Sequence, residues 1–330
     1  MTGAVYDRGY RPYEGARGGR NAARTALLRT SIRRALGIRR DWRQKVAPFA
    51  LLAIAVVPAI VNVGVRYLTR STPAAGVEFL SYRDYVGVSN SLLVFVALTA
   101  PDILCPDRRQ RVLPLIFARP LTGVDYVMAK VTTLASIVFA FSVIPQLVLF
   151  LGQMLVSEHG SLRYLQDNAD VLWQVPIAAG LLSLYYAIIG AAISSLTSRR
   201  IIAGASIIGL FLISSAVSSI LVGPETTNGS ESRQPVESTE QAPTPFTTLA
   251  PIGEETTTWS FEEPAPSAAP LLNLAGLPLV LRDVVFLGEI EPGHPMSGLA
   301  NGGLLAGGVY VLVVGVGLGT LLFRYQVVER

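Results

Sequence analysis

Few side chains in this 330-residue chain could carry covalent chemistry. Its two lysines are followed by Val46 and Val131, whereas a phosphate-binding loop needs Gly-Lys followed by Ser or Thr, so neither Lys45 nor Lys130 opens one. Cys105 is the single cysteine and rules out an internal disulfide. His159 and His294 stand far apart in loops and give no metal-ligand spacing. What remains is binding chemistry. Arg108, Arg109 and Arg111 form a positive cluster beside an apolar ridge of Val112, Leu115, Ile116 and Phe117, inside a connector over residues 101–130. Such a cluster can hold the connector to an anionic face while the ridge meets a partner. The same arginines could instead serve only to fix topology.

The elements that position this connector follow from composition. Apolar residues make up 51% of the chain, charged residues 15%, and the mean hydropathy is positive, which is the profile of a membrane protein. A hydrocarbon core of about 30 Å needs about 20 helical residues. Six stretches qualify, at residues 46–65, 85–101, 131–154, 171–196, 201–222 and 299–323, and none holds Lys, Arg, Asp, Glu or His. The expected fold is therefore an all-α polytopic membrane protein with six transmembrane helices. With the N-terminus inside, 21 of the 27 Lys and Arg fall in inside segments, so the positive-inside rule places both termini in the cytosol. The basic balance then reports orientation and not a nucleic-acid surface.

Residues 1–45 read as a cytosolic loop followed by an amphipathic helix. Leu28, Ile32 and Leu36 recur at i, i+4 and i+8 among arginines, and Trp42 stands at headgroup depth. That pattern fits an interfacial helix on the inner leaflet, with a solvated basic helix as the alternative. Forty-five largely polar residues precede a full-length span, which argues for a retained anchor over a signal peptide. Residues 46–222 hold spans one to five, with the cytosolic connector at 102–130. Residues 223–269 are dense in Pro, Glu, Thr and Ser without apolar periodicity, and read as a disordered extracellular insertion. Residues 270–298 turn apolar again, but Pro278 and the Arg282-Asp283 pair cut the run into pieces shorter than a span. This reads as a re-entrant or interfacial element, the alternative being a seventh span. Residues 299–330 form the last span and a short cytosolic tail, with Gly303-xxx-Gly307 and Gly315-xxx-Gly319 at close-packing spacing. Ordinary bundle packing within one chain accounts for these as well as a dimer motif does. Pro145, Gln146 and Pro176 could kink their helices or line a cavity.

Within the connector, Thr122 with Asp125 three residues on resembles a capping box, so a helix should start there and run into span three. Arg119-Pro120 would form the corner before it. The spans hold no ionisable residue for an intramembrane relay and no acid or His pair for a membrane hydrolase. The remaining readings are a channel, a non-transporting scaffold or assembly subunit, or the membrane half of a transporter whose engine is a separate chain.

The series Asp107-Arg108-Arg109, Val112-Leu113, Leu115-Ile116, Ala118-Arg119-Pro120-Leu121, Asp125-Tyr126 and Lys130 resembles the cytosolic connector of permease subunits in type-2 ATP-binding-cassette (ABC) exporters. Gly9-Tyr10-Arg11-Pro12-Tyr13-Glu14-Gly15 is similar to the opening of an actinobacterial branch of those permeases. The resemblance implies a multi-pass bacterial plasma-membrane subunit, itself not an enzyme and without a cofactor. Two such chains, alike or different, would pair on two separate ATPase subunits that bind ATP and Mg. The basic N-terminal helix would be a connecting helix and residues 109–120 a coupling helix. Arg108, Arg109, Arg111, Leu115, Ile116, Phe117, Arg119, Pro120, Asp125 and Tyr126 would then form the ATPase-coupling set. Pro114 departs from this pattern and should break or bend the coupling helix. The path, lined by apolar, Gly and Gln side chains, would suit an amphipathic or lipid-like cargo.

Overall fold

A computed structural model of the protein describes residues 19–35, 42–69, 81–86, 89–118, 121–157, 160–222 and 267–329. Residues 9–15, Leu36, the Arg119-Pro120 corner, His159, most of the 223–269 insertion and the side chain of Trp42 lie outside them. The described residues form helices and no strand. In chain order these are α1 (Arg20–Ala35), α2 (Trp42–Thr69), α3 (Tyr82–Tyr85), α4 (Ser89–Arg109), α5 (Leu113–Phe117), α6 (Gly123–Val156), α7 (Ser161–Asp167), α8 (Val171–Leu196) and α9 (Arg200–Val222). A 3₁₀ turn at Ala269–Leu272, α10 (Leu277–Leu287) and α11 (Gly302–Glu329) complete the chain.

Five of these helices, in α2, α6, α8, α9 and α11, are long and apolar enough to cross a membrane, which makes this a multi-pass membrane protein. Their outward faces are apolar, with Val57, Ile201, Ile220, Val311 and Phe323 all exposed. A soluble protein would not leave faces of this size in water. The expected second span differs from expectation. Tyr85 belongs to the separate helix α3, and α4 continues eight residues past Pro101 through Asp102, Asp107, Arg108 and Arg109. Its charge-free part, residues 89–101, is about 20 Å long at 1.5 Å per residue, short of the hydrocarbon thickness.

The chain divides into two compact units, one of residues 1–210 with 310–330 and one of residues 211–309. In the first, α8 is the central helix, burying Ala178, Ala179, Leu182, Tyr185, Tyr186 and Ala187. Lipid tails are as apolar as leucine, so helices here associate through close packing and polar contacts. Close packing is visible at Gly190, where a Cβ would stand 2.8 Å from Val96 of α4, and at Gly317, where it would stand 2.6 Å from Ile188 of α8. By contrast, among the described residues nothing lies within 4 Å of where a Cβ would stand at Gly315 or Gly319. Polar contact is visible at the C-terminal end of α6. The Gln153 carbonyl accepts from the hydroxyls of Tyr82 (2.8 Å) and Tyr164 (2.7 Å), and its amide donates to Asn62 Oδ1 at 3.2 Å. Gln146, one of the candidate cavity residues, is buried and donates to the Tyr82 carbonyl at 3.1 Å.

In the second unit, α10 spans 11 residues, about 16 Å, too short to be a seventh span. Two expectations about this stretch are corrected. Pro278 does not interrupt α10 but stands in its first turn, where the missing N–H costs nothing. Arg282 and Asp283 do not break it either: both are buried inside the helix and paired at 2.7 Å. Gly288, at φ 78°, ends the helix in the left-handed conformation that glycine adopts without penalty. In the following loop His294 Nδ1 accepts from the Met296 amide at 3.2 Å. Burial holds the His294 pKa below its ordinary value, against the pull of Asp283 and Glu291.

Two measurements check this account. Gly190→Leu should push α4 from α8 and lower stability by about 1–3 kcal/mol, read as an earlier thermal transition in detergent. The depressed His294 pKa means that the folded state binds fewer protons, so its contribution is present above about pH 6.5 and is lost as pH falls through the folded value. Hydrogen exchange at the Met296 amide should quicken, beyond its intrinsic pH dependence, on acidification from neutral pH, and should lose that response in His294→Gln.

Candidate functional site

The N-terminal end of α6 gathers nearly all the buried charge of the first unit. Thr122 and Asp125 form a reciprocal capping box: the Thr122 Oγ1 accepts from the Asp125 amide at 3.3 Å, and the Asp125 carboxylate accepts from the Thr122 amide at 3.1 Å. The cap fixes where α6 begins. From there the helix runs 34 residues, about 51 Å, without interruption. A bilayer core takes about 30 Å of that length, so about 20 Å is left to project beyond it.

Asp125 has further partners that the local pattern did not reveal. Arg20 Nε donates to its Oδ2 at 2.8 Å and Arg24 Nε to its Oδ1 at 2.7 Å, while Arg20 Nη2 also reaches Thr122 Oγ1 at 3.1 Å. Nearly three turns beyond Arg24 along α1, Arg34 Nη1 donates to Asp107 Oδ1 at 2.6 Å. The helix α1 is thus held lengthwise by its arginines against α6 and the end of α4. Leu28 and Ile32, expected to face the membrane, are half-buried on the flank of this docked face.

Asp107 is the centre of the second cluster. It is almost fully buried, and its Oδ2 lies 2.7 Å from Lys130 Nζ and accepts from the Tyr126 hydroxyl at 3.0 Å. Lys130, also buried, further donates to the Ile103 carbonyl at 3.3 Å. The Tyr126 ring packs against Tyr325 of α11, with centroids 4.9 Å apart, and against Phe117 of α5 at 6.1 Å. Around this core, Arg108 donates to the Ser195 carbonyl at the end of α8, and Arg200 of α9 pairs with Asp102 at 2.7 Å. Counting α1, whose Arg34 pairs with Asp107, seven helices are thereby joined at one end of the unit.

The structure separates the expected coupling residues by depth. Asp125 and Tyr126 are buried and taken up by internal contacts. Arg108 is engaged by α8, and Ile116 and Phe117 are half-buried. Arg109, Arg111 and Leu115 are exposed, Leu115 by 72%. Residues 109–117 are not one helix. Arg109 ends α4, Arg111 turns the chain at φ 51°, and α5 begins afresh at Leu113. Pro114 therefore breaks nothing, because it occupies the first turn of a new five-residue helix. The result is a blunt tip of Arg109, Gln110, Arg111, Pro114 and Leu115 resting on the Phe117–Tyr126 contact.

Reasoning from the sequence missed Asp107, Lys130 and Arg34 as a unit. One signal was present: Lys130 is one of two lysines beside 25 arginines, and it sits seven residues inside a helix already marked by its cap. Among the described residues no group of three His, Cys, Asp or Glu could hold a metal ion. No family model matches the chain, and no curated protein matches it.

Removing one partner of a buried ion pair leaves the other uncompensated, at a cost of about 3–5 kcal/mol, whereas replacing both by apolar residues is often neutral. Asp107→Ala should accordingly destabilise the detergent-solubilised protein by that order, and Asp107→Leu with Lys130→Met should recover at least half of the loss. Equilibrium unfolding of the three proteins would show it.

Proposed function

We propose that this chain is the membrane-spanning permease subunit of an ATP-driven ABC exporter. In this reading it is a six-span subunit with both termini cytosolic, and α4 supplies the second span. The element around α10 is re-entrant before the last span. The orientation rests on the 21 of 27 Lys and Arg that fall on the inner side. A second permease chain and two separate ATPase subunits complete the assembly in a bacterial plasma membrane, and the ATPase subunits hold ATP and Mg. The cargo is amphipathic or lipid-like.

One observation carries the reading. The exposed tip at Arg109, Arg111 and Leu115 stands on a charged, buried hub that is continuous with the 34-residue α6. A load applied at Leu115 passes through Phe117 and Tyr126 into a capped helix that reaches the membrane interior. A loop serving only to set topology has no need of this rigid connection. The interface on the ATPase would use Leu115 as its apolar anchor and Arg109 and Arg111 as a basic rim. Arg119 and Pro120, which fall between α5 and α6 in the sequence and lie outside the described residues, belong to the proposed coupling set. The charged hub serves to transmit the load and does not itself touch the partner.

The test is purification of the tagged chain from its native membrane in mild detergent, followed by assay of ATP hydrolysis in the eluate. A photo-crosslinker at position 115 should attach to the ATP-hydrolysing subunit. Leu115→Glu should lower co-purifying hydrolysis at least tenfold, since interface anchors are worth about 2 kcal/mol or more, and should leave the yield of inserted chain unchanged. A chain that elutes without any nucleotide-hydrolysing partner would favour the scaffold reading instead.

A further inference from the structure

Within the first unit, α1, α2, α4 and α6 line an open groove with a cavity volume of about 300 Å³. That is about twice the volume of an engineered apolar cavity that holds a benzene ring. Nine of its eleven lining residues have no polar side-chain atom; the two hydroxyls come from Thr99 and Ser136. Its floor is the stacked pair Phe95 and Phe141, with ring centroids 4.1 Å apart. Its length follows one stripe of α6, Ser136, Ala140 and Ile144, which covers about 12 Å at 1.5 Å per residue. Small side chains at the first two of these positions create the groove.

The level of the groove in the membrane follows from its neighbours. Phe49, near the start of the apolar stretch 46–65 in α2, lines the cavity and is 54% exposed. Ile32 and Ala35 of α1 line the same cavity, so α1 crosses its mouth at the edge of the hydrocarbon. The Arg34–Asp107 pair, next to Ala35, helps hold α1 there. Water is a poor occupant, because it needs two to four polar partners and the lining offers two hydroxyls. An empty groove would forfeit the dispersion contacts of its walls. The surrounding lipid supplies the matching filler.

Charge chooses among lipids. Arg29 is one turn before Ile32 and Arg33 is next to it; both are exposed, and among the described residues neither makes an ion pair. They differ in this from Arg20, Arg24 and Arg34, which are spent on Asp125 and Asp107. We propose that this groove is a binding site for one anionic phospholipid, with an acyl chain laid along Ser136, Ala140 and Ile144 and the phosphate headgroup held by Arg29 and Arg33. The site does not depend on the exporter reading, since it requires only that α1 lie at the membrane edge.

The test is native mass spectrometry of the full chain in detergent with added dioleoyl phosphatidylglycerol or dioleoyl phosphatidylcholine. The wild type should retain one phosphatidylglycerol in clear preference to phosphatidylcholine. Arg29→Gln with Arg33→Gln should reduce that preference by about fivefold per arginine, with lysine at both positions restoring it. Ala140→Phe should block the groove and lower retention of both lipids. Position 140 is exposed, so this variant should keep the wild-type circular dichroism and elution volume. Equal retention of the two lipids by the wild type would overturn the headgroup assignment, and unchanged retention in Ala140→Phe would overturn the groove. Loss of co-purifying ATP hydrolysis in the Leu115→Glu protein bears on neither result.

Discussion

The pairing of Asp107 with Lys130 is the contact on which the first unit depends. Each charge is withdrawn from water and would be costly alone, and each is held by more than the other: Asp107 also takes Arg34 and the Tyr126 hydroxyl, Lys130 also takes the Ile103 carbonyl. Satisfying every lone pair and proton is the condition under which a buried pair is tolerable. Because the partners come from α1, α4 and α6, that condition fixes three helices at once. Tyr126 then extends the constraint to α5 and α11 through its ring.

The other end of α6 is held in a different manner. Gln153 stands 28 residues beyond Asp125, about 42 Å along the helix, and satisfies the hydroxyls of Tyr82 and Tyr164 together with Asn62. Charged contacts stand at one end, neutral polar contacts from Gln146 and Gln153 toward the other, and between them the buried side chains of α6 are mostly small and apolar. This distribution follows from the bilayer. Ionised groups are least expensive near the edge, where water is close, whereas amides and hydroxyls can be buried once their hydrogen bonds are made.

How much of this was legible depended on the range of the interaction. The cap at Thr122 and Asp125 is a contact over three residues, and its spacing alone announced it. The apolar stretches were equally plain, since the length needed to cross hydrocarbon is set by geometry. Pro114 was misread for a related reason: the sequence shows a proline among helix formers but not that α4 has ended, that Arg111 turns the chain, and that a new helix begins at Leu113. In the same way Arg282 and Asp283 looked like a break in an apolar run, because their burial and mutual pairing inside α10 could not be read from adjacency alone.

Composition and spacing determined that this chain is a helical multi-pass membrane protein, where its long helices run, and that its connector carries exposed positive charge. These are consequences of transfer energies and helix length, which act residue by residue. Tertiary structure decided which arginines are spent and which remain available. Arg20, Arg24 and Arg34 look no different in the sequence from Arg29 and Arg33, yet the first three meet carboxylates that lie 73 to 105 positions away in the chain. No local pattern encodes an approach over such a separation, because it is settled only when α1 docks along α4 and α6.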